Sequence, residues 1–214
     1  MLAFLAGALL ITSGIADPAQ AKEGATSAMT VALTFDDGPS ATYTPQVLDV
    51  LANHQVKATF CLVGTQARRF PALVRRIVAD GHALCNHSMN HDNLSTWTDE
   101  QIRADLAATT EAIQTAAPGA PVPYFRAPYG SWGRSAAVAA ELGMARLGWT
   151  VDPRDWSRPG VDAIVQAVHA QLRPGGVVLM HDAGGDRSQT VRALDLLIPQ
   201  LAEAGWTFTF PAQT

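Results

Sequence analysis

From Met29 to Phe210 the chain alternates short apolar runs with longer amphipathic ones, and that rhythm restricts its fold more than any other feature. The apolar runs are Met29–Phe35, Ala58–Val63, His82–Asn86, Val122–Arg126, Ala145–Val151, Gly176–His181 and Trp206–Phe210. They are short and apolar throughout, as strands covered on both faces must be. Between them, Pro45–Ala52, Pro71–Ala79, Asp99–Ala116, Ser135–Leu142, Val161–Leu172 and Arg192–Ala204 carry apolar residues at helical spacing. Local signals mark several ends: Thr44 is placed to cap the first helix with Pro45 in its first turn, Asp80-Gly81 ends the second, and Thr98 with Gln101 resembles a capping box. Strands alternating with helices predict one α/β domain whose parallel sheet lies under helices. Counting strands leaves the closure open between a barrel and a doubly wound sheet.

The 214 residues suit one domain and are short for two. At 48% hydrophobic and 16% charged, with no repeat or low-complexity tract, the chain is neither disordered nor membrane-embedded. A net charge of −4 offers no basic surface to nucleic acid. Leu2 to Ala16 is almost wholly apolar or small and leads into Asp17-Pro18-Ala19-Gln20-Ala21, which reads as a secretory signal cut after Ala21, although no Lys or Arg precedes it. The run is shorter than the ~20 residues that span a bilayer, so no membrane anchor is expected after processing. Lys22 to Ser27 then reads as a flexible lead-in, residues 28–214 as the domain, and the product as secreted or surface-associated. Cys61 and Cys85 lie in strands expected to be neighbours; a disulfide and a pair of buried thiols both fit.

Chemistry enters where the strands end. Asp36-Asp37-Gly38-Pro39 follows the first, His87 to His91 the third, Arg126-Ala127-Pro128-Tyr129 the fourth, Asp152 to Trp156 the fifth and His181-Asp182 the sixth. In a parallel α/β fold these ends share the face where active sites sit. Each element has a bland reading by itself: Asp-Gly-Pro is a turn former, and histidines four apart sit more often on a helix surface than on a metal. Together, Asp37, His87 and His91 make two imidazoles and a carboxylate, a ligand count that leaves a catalytic divalent metal an open position. Zn2+ suits these donors best, and Co2+ or Ni2+ would be accepted by the same atoms. Asp36 is left free to take a proton. Asp182 reads as structural, and His54, His82 and His169 as ordinary surface or core histidines.

The blocks Thr34–Pro39, His87–His91, Arg126–Gly130, Asp152–Trp156 and Leu179–Asp182 resemble, in order and separation, those of the polysaccharide deacetylases with a NodB-type domain, carbohydrate esterase family 4. The resemblance implies a distorted (β/α) barrel of about seven strands. It implies that Asp36 is the catalytic base, Asp37, His87 and His91 the metal ligands, and Arg126 the partner of the base. Tyr129 matches the residue whose backbone N–H helps bind the oxyanion. Asp155 matches the carboxylate that orients the catalytic acid His181, and Trp156 and Leu179 the walls around the acetyl methyl. Cys61 and Cys85 depart from the Phe and Gly usual in the family, and Asp92 from a frequent Pro; Asp92 is either an acceptor for a ligating imidazole or solvated.

The implied partner is an acetylated polysaccharide, handled by a monomer. N-deacetylation of N-acetylglucosamine in peptidoglycan or chitin oligomers is favoured over O-deacetylation of xylan. Trp132, Ser131 and residues 184–188 adjoin the motifs and are candidates to hold the sugar, Trp132 by stacking. A metal-independent relative acting on cyclic amides would lack the histidine pair. A catalytically silent wall-binding domain would have lost Asp36 or His181.

Overall fold

A computed structural model describes residues 28–213; the expected signal and lead-in, residues 1–27, lie outside them. Along the chain come β1 (Thr30–Asp36), α1 (Tyr43–Asn53), β2 (Thr59–Leu62), α2 (Gly64–Arg69), α3 (Pro71–Ala79), β3 (Ala83–Asn86), α4 (Asp99–Ala116), β4 (Tyr124–Phe125) and α5 (Ser135–Glu141). β5 (Ala145–Arg146), α6 (Val161–Gln171), β6 (Gly176–His181), α7 (Ser188–Glu203) and β7 (Thr207–Phe208) follow. All pairings are parallel, in the order β5-β4-β3-β2-β1-β6, with β7 on the first residues of β1.

The sheet curls until the chain beyond β5 meets β6: Val151 bridges Val178, Thr150 N–H donates to Val177 O and Leu179 N–H to Val151 O. The fold is therefore the distorted barrel, with its closing strand broken. The expected run Ala145–Val151 pairs with β4 at its start and with β6 at its end, and the carbonyls between, of Leu147 and Gly148, accept from the Arg126 guanidinium. The side chain of Arg126, just after β4, replaces the ladder there.

Alternation along β1 separates two kinds of interior. Val31, Leu33 and Phe35 join the main core with Leu48 and Leu51 of α1 and Leu194, Leu197 and Leu201 of α7. Burying each such side chain stabilises the fold by about 1.5–3 kcal/mol. That reserve matters because the other face of β1, Thr34 and Asp36, turns inward to meet Arg126, whose charge is fully buried. Burying an ion costs several kcal/mol unless its hydrogen bonds are met. Beside it, Cys61 and Cys85, register partners on β2 and β3, are joined by a disulfide.

Local signals held in part. Thr98 and Gln101 form the reciprocal capping box of α4. Thr44 does not cap α1, which starts at Tyr43; its hydroxyl instead accepts from Ser40 N–H and donates to the buried Asp182 carboxylate, tying the loop after β1 to the end of β6. Asp182 is thus structural, as expected. α2 was not anticipated, and α7 begins four residues before Arg192.

Candidate active site

Among the described residues, six of the seven non-glycine residues with positive φ lie in the loops at the C-terminal mouth of the barrel: Asp37, Ser88, His91, Tyr129, Arg154 and Arg158. Such backbone costs on the order of 1–3 kcal/mol per residue and persists where surroundings impose it. At Asp37 (φ 75°) it lets adjacent carboxylates, which an extended strand would send to opposite faces, both face the mouth.

The histidines do not share a helix. His87 directly follows β3, and His91 is returned to it by a loop turned at Ser88 and at His91 itself, both with φ 63°. Two buried polar residues hold that loop. The Asn86 amide donates to Leu106 O and Thr110 Oγ1 and accepts from Ser88 N–H, while Asp105 of α4 accepts from Met89 N–H. Burial pushes Asp105 up to about 6.

His91 Nε2 lies 3.3 Å and His87 Nε2 3.6 Å from Asp37 Oδ1, and the three donor atoms stand within 4.8 Å of one another. Ligands about 2.0–2.2 Å from a tetrahedral Zn2+ are separated by roughly 3.3 Å, so the set fits. Its protonation fits too. His87 Nδ1 faces the Arg126 carbonyl at 2.8 Å, an acceptor only, which puts the proton on Nδ1 and frees Nε2. His91 Nδ1 meets the Tyr129 hydroxyl at 3.1 Å. Burial lowers both histidine pKa values, favouring the neutral, ligating form. Burial also raises Asp37, against the pull of His87 and His181, and a cation is the partner that would relieve it. Asp92 pairs with the Asn90 amide, not with a histidine ring.

Asp36 stands beside this set with a different partner. Its Oδ1 accepts from Arg126 Nη1 at 2.7 Å, deep in the protein. Burial would raise its pKa, but the Arg126 charge, with His87 and His181, holds it below the usual carboxylate range. Across the mouth, His181 Nδ1 lies 2.8 Å from Asp155 Oδ1. Burial opposes charge on that ring, yet the hydrogen bond and charge of Asp155, backed by Asp36 and Asp37, push its pKa up to about 9. The mouth thus places an ionised carboxylate and a protonated imidazole around three atoms that could hold a metal ion.

These groups line a cavity of about 480 Å³ together with Tyr129, Trp156 and Leu179, as anticipated, with Asp152, which the sequence placed on this face without a role, and with Trp149, which was not anticipated. Trp156 is 46% exposed at the rim. Trp149 lies in a run expected to be plain strand and carried no signal in the sequence; in the structure the Arg126 guanidinium stands over its ring. Thr190, whose hydroxyl donates to Asp155, was also missed. Trp132 lies outside the cavity lining, its indole edge-on to Phe125 and covered by the Arg146 guanidinium. Grooves of about 690 and 610 Å³ against β7 and α4 are larger, but neither holds a metal-ligating cluster.

The sequence profile of one family, polysaccharide deacetylase, matches residues 23–147. A chitooligosaccharide deacetylase of Sinorhizobium fredii is 47% identical over 192 residues, covering 85% of this chain and 89% of the relative. A peptidoglycan-N-acetylglucosamine deacetylase of Bacillus cereus is 40% identical over 182 residues, covering 83% and 84%. A crystal structure of a peptidoglycan N-acetylglucosamine deacetylase bound to a naphthyl-substituted N-hydroxybenzamide superposes with a TM-score of 0.82 at 37% identity, over 86% of this chain and 90% of that one.

Proposed function

The chain belongs to the polysaccharide deacetylase family, and on that premise we propose that it is a metal-dependent hydrolase removing N-acetyl groups from N-acetylglucosamine residues of chitin oligomers or peptidoglycan. The observation that carries the reading is the convergence of Asp37, His87 and His91 with a separate Asp36–Arg126 pair and a separate Asp155–His181 pair. The relatives named above act on glucosamine-based polymers, which favours the amide over the xylan ester.

In this reading Asp37, His87 and His91 hold one divalent ion, Zn2+ best suiting the donors. Such an ion supplies Lewis-acid polarisation of the acetyl carbonyl and acidifies a water. Asp36, kept ionised by Arg126, takes a proton from the water that attacks the carbonyl carbon. The Tyr129 backbone N–H steadies the negative oxygen. His181 then gives its proton to the departing amine as the C–N bond breaks, leaving acetate and a free amine. Trp156 and Leu179, with Trp149, enclose the methyl group in apolar surface. No covalent enzyme intermediate is required.

Export by a signal ending at Ala21, and action as a monomer, belong to the same proposal; N-terminal sequencing of the secreted product checks the first. The test of function is acetate release from chitin oligomers, peptidoglycan and acetylxylan, with and without chelator and restored Zn2+. Chelator-sensitive release from the first two supports the reading, and release only from acetylxylan contradicts it.

A further inference from the structure

Arg187, just before α7, is a buried arginine whose hydrogen bonds all go to backbone carbonyls. Nε donates to Ala183 O at 2.6 Å, Nη2 to Gly184 O at 2.9 Å and Nη1 to Trp156 O at 3.3 Å. Two of these lie on the loop after β6, and the third on the turn that carries Asp155 and Trp156. Gly184, at φ 73°, lies between the guanidinium and the metal-site carboxylate: a Cβ there would stand 3.4 Å from Arg187 Nη2 and would overlap Asp37 Oδ2. A guanidinium taken out of water commonly sits on a carboxylate. Here each of its three nitrogens donates to a backbone carbonyl instead, and Gly184 stands between it and Asp37.

We infer that Arg187 is a positioning residue that fixes the acetyl-pocket wall at Trp156 and the loop packed on the metal ligand Asp37 as one unit. The inference rests on the hydrolase reading above. The planar fork matters because a single guanidinium spans three carbonyls on two segments, which a point-charge ammonium does not reproduce. Loss of Arg187 should therefore weaken two separable properties: the grip on the ion, and the fit of the acetyl group against Trp156.

The experiment compares wild type, Arg187→Met and Arg187→Lys as full-length proteins. Zn2+ affinity is measured by competition with a chromogenic chelator, and sodium acetate serves as a product inhibitor that reports on the methyl pocket. Arg187→Met should bind Zn2+ about tenfold or more weakly, the scale for groups supporting metal ligands, and its acetate inhibition constant should rise several-fold. Arg187→Lys, keeping charge without the fork, should fall short of wild type in both readouts. Wild-type behaviour of Arg187→Met in either readout, or of Arg187→Lys in both, overturns the inference. If Arg187→Met does not fold, the acetate readout of Arg187→Lys decides. A wild type that neither binds Zn2+ nor responds to acetate contradicts the hydrolase reading instead.

Discussion

Asp155 holds His181 twice, one carboxylate oxygen 2.8 Å from the ring Nδ1 and the other accepting from the backbone N–H at 2.9 Å. The grip aligns the ring and keeps it protonated, with its pKa near 9 despite burial. Turnover should therefore fall on the alkaline side as pH passes about 9. In Asp155→Asn that limb should move down towards the ordinary histidine value, with activity at neutral pH reduced about 10²-fold. The sign for stability is the same. With its folded pKa raised, His181 contributes fully below about pH 6.5 and loses that contribution as pH rises through about 9. Paired pH–rate profiles check this; an unmoved alkaline limb contradicts it.

Arg126 and Asp36 form an ion pair whose guanidinium is fully buried and whose carboxylate is 5% exposed, at the cavity. Arg126→Met leaves a buried carboxylate unpaired, which costs about 3–5 kcal/mol at neutral pH. Burial then acts on Asp36 without its main opponent, so its pKa rises. In the wild type the lowered pKa contributes stability above the ordinary carboxylate range, and that contribution is lost as pH falls through the folded value. Urea unfolding at several pH values should show the variant's deficit at neutral pH shrinking in acid. The acid limb of kcat/KM should move upward.

Asp36→Asn separates the adjacent carboxylates. The amide keeps a hydrogen-bonding partner for Arg126 but does not accept a proton, so turnover should fall about 10²–10⁴-fold while Zn2+ stays bound. Loss of the metal in this variant, measured by elemental analysis after gel filtration, would mean that the roles of Asp36 and Asp37 are reversed.

Tyr129 contributes more than its backbone. It is 71% exposed, yet its hydroxyl meets His91 Nδ1 and its ring packs edge-on against the imidazole. Tyr129→Phe retains the N–H and removes the hydroxyl. Zn2+ affinity should drop by about tenfold or less, at the low end for such partners because the bond is exposed. Chelator competition reads the change, and unchanged affinity removes the hydroxyl from the account.

What the sequence made legible was what is local or periodic. The strand–helix alternation, the Thr98–Gln101 cap and the strand-end clusters all follow from spacing within a few residues. The misses share a different cause. β5 breaks because Arg126, from the end of the neighbouring β4, takes the Leu147 and Gly148 carbonyls. Thr44 leaves its capping role because Asp182, at the end of β6, competes for its hydroxyl. α2 was hidden because Gly64 to Arg69 has too few apolar residues to show a period. Trp149 and Thr190 acquire their roles only when the barrel closes, and no short motif marks them; Asp152 and Arg187 lay in stretches the sequence singled out, but nothing there gave them these roles.

The account stands on one ion held by Asp37, His87 and His91. The direct measurement is a Zn2+ titration of chelator-stripped protein by isothermal calorimetry, run on wild type, Asp37→Ala, His87→Ala and His91→Ala, with each variant's fold checked by circular dichroism. One Zn2+ per wild-type chain, with affinity falling by orders of magnitude in each folded variant, is the predicted result. Wild-type stoichiometry and affinity in any one of the three folded variants would contradict it.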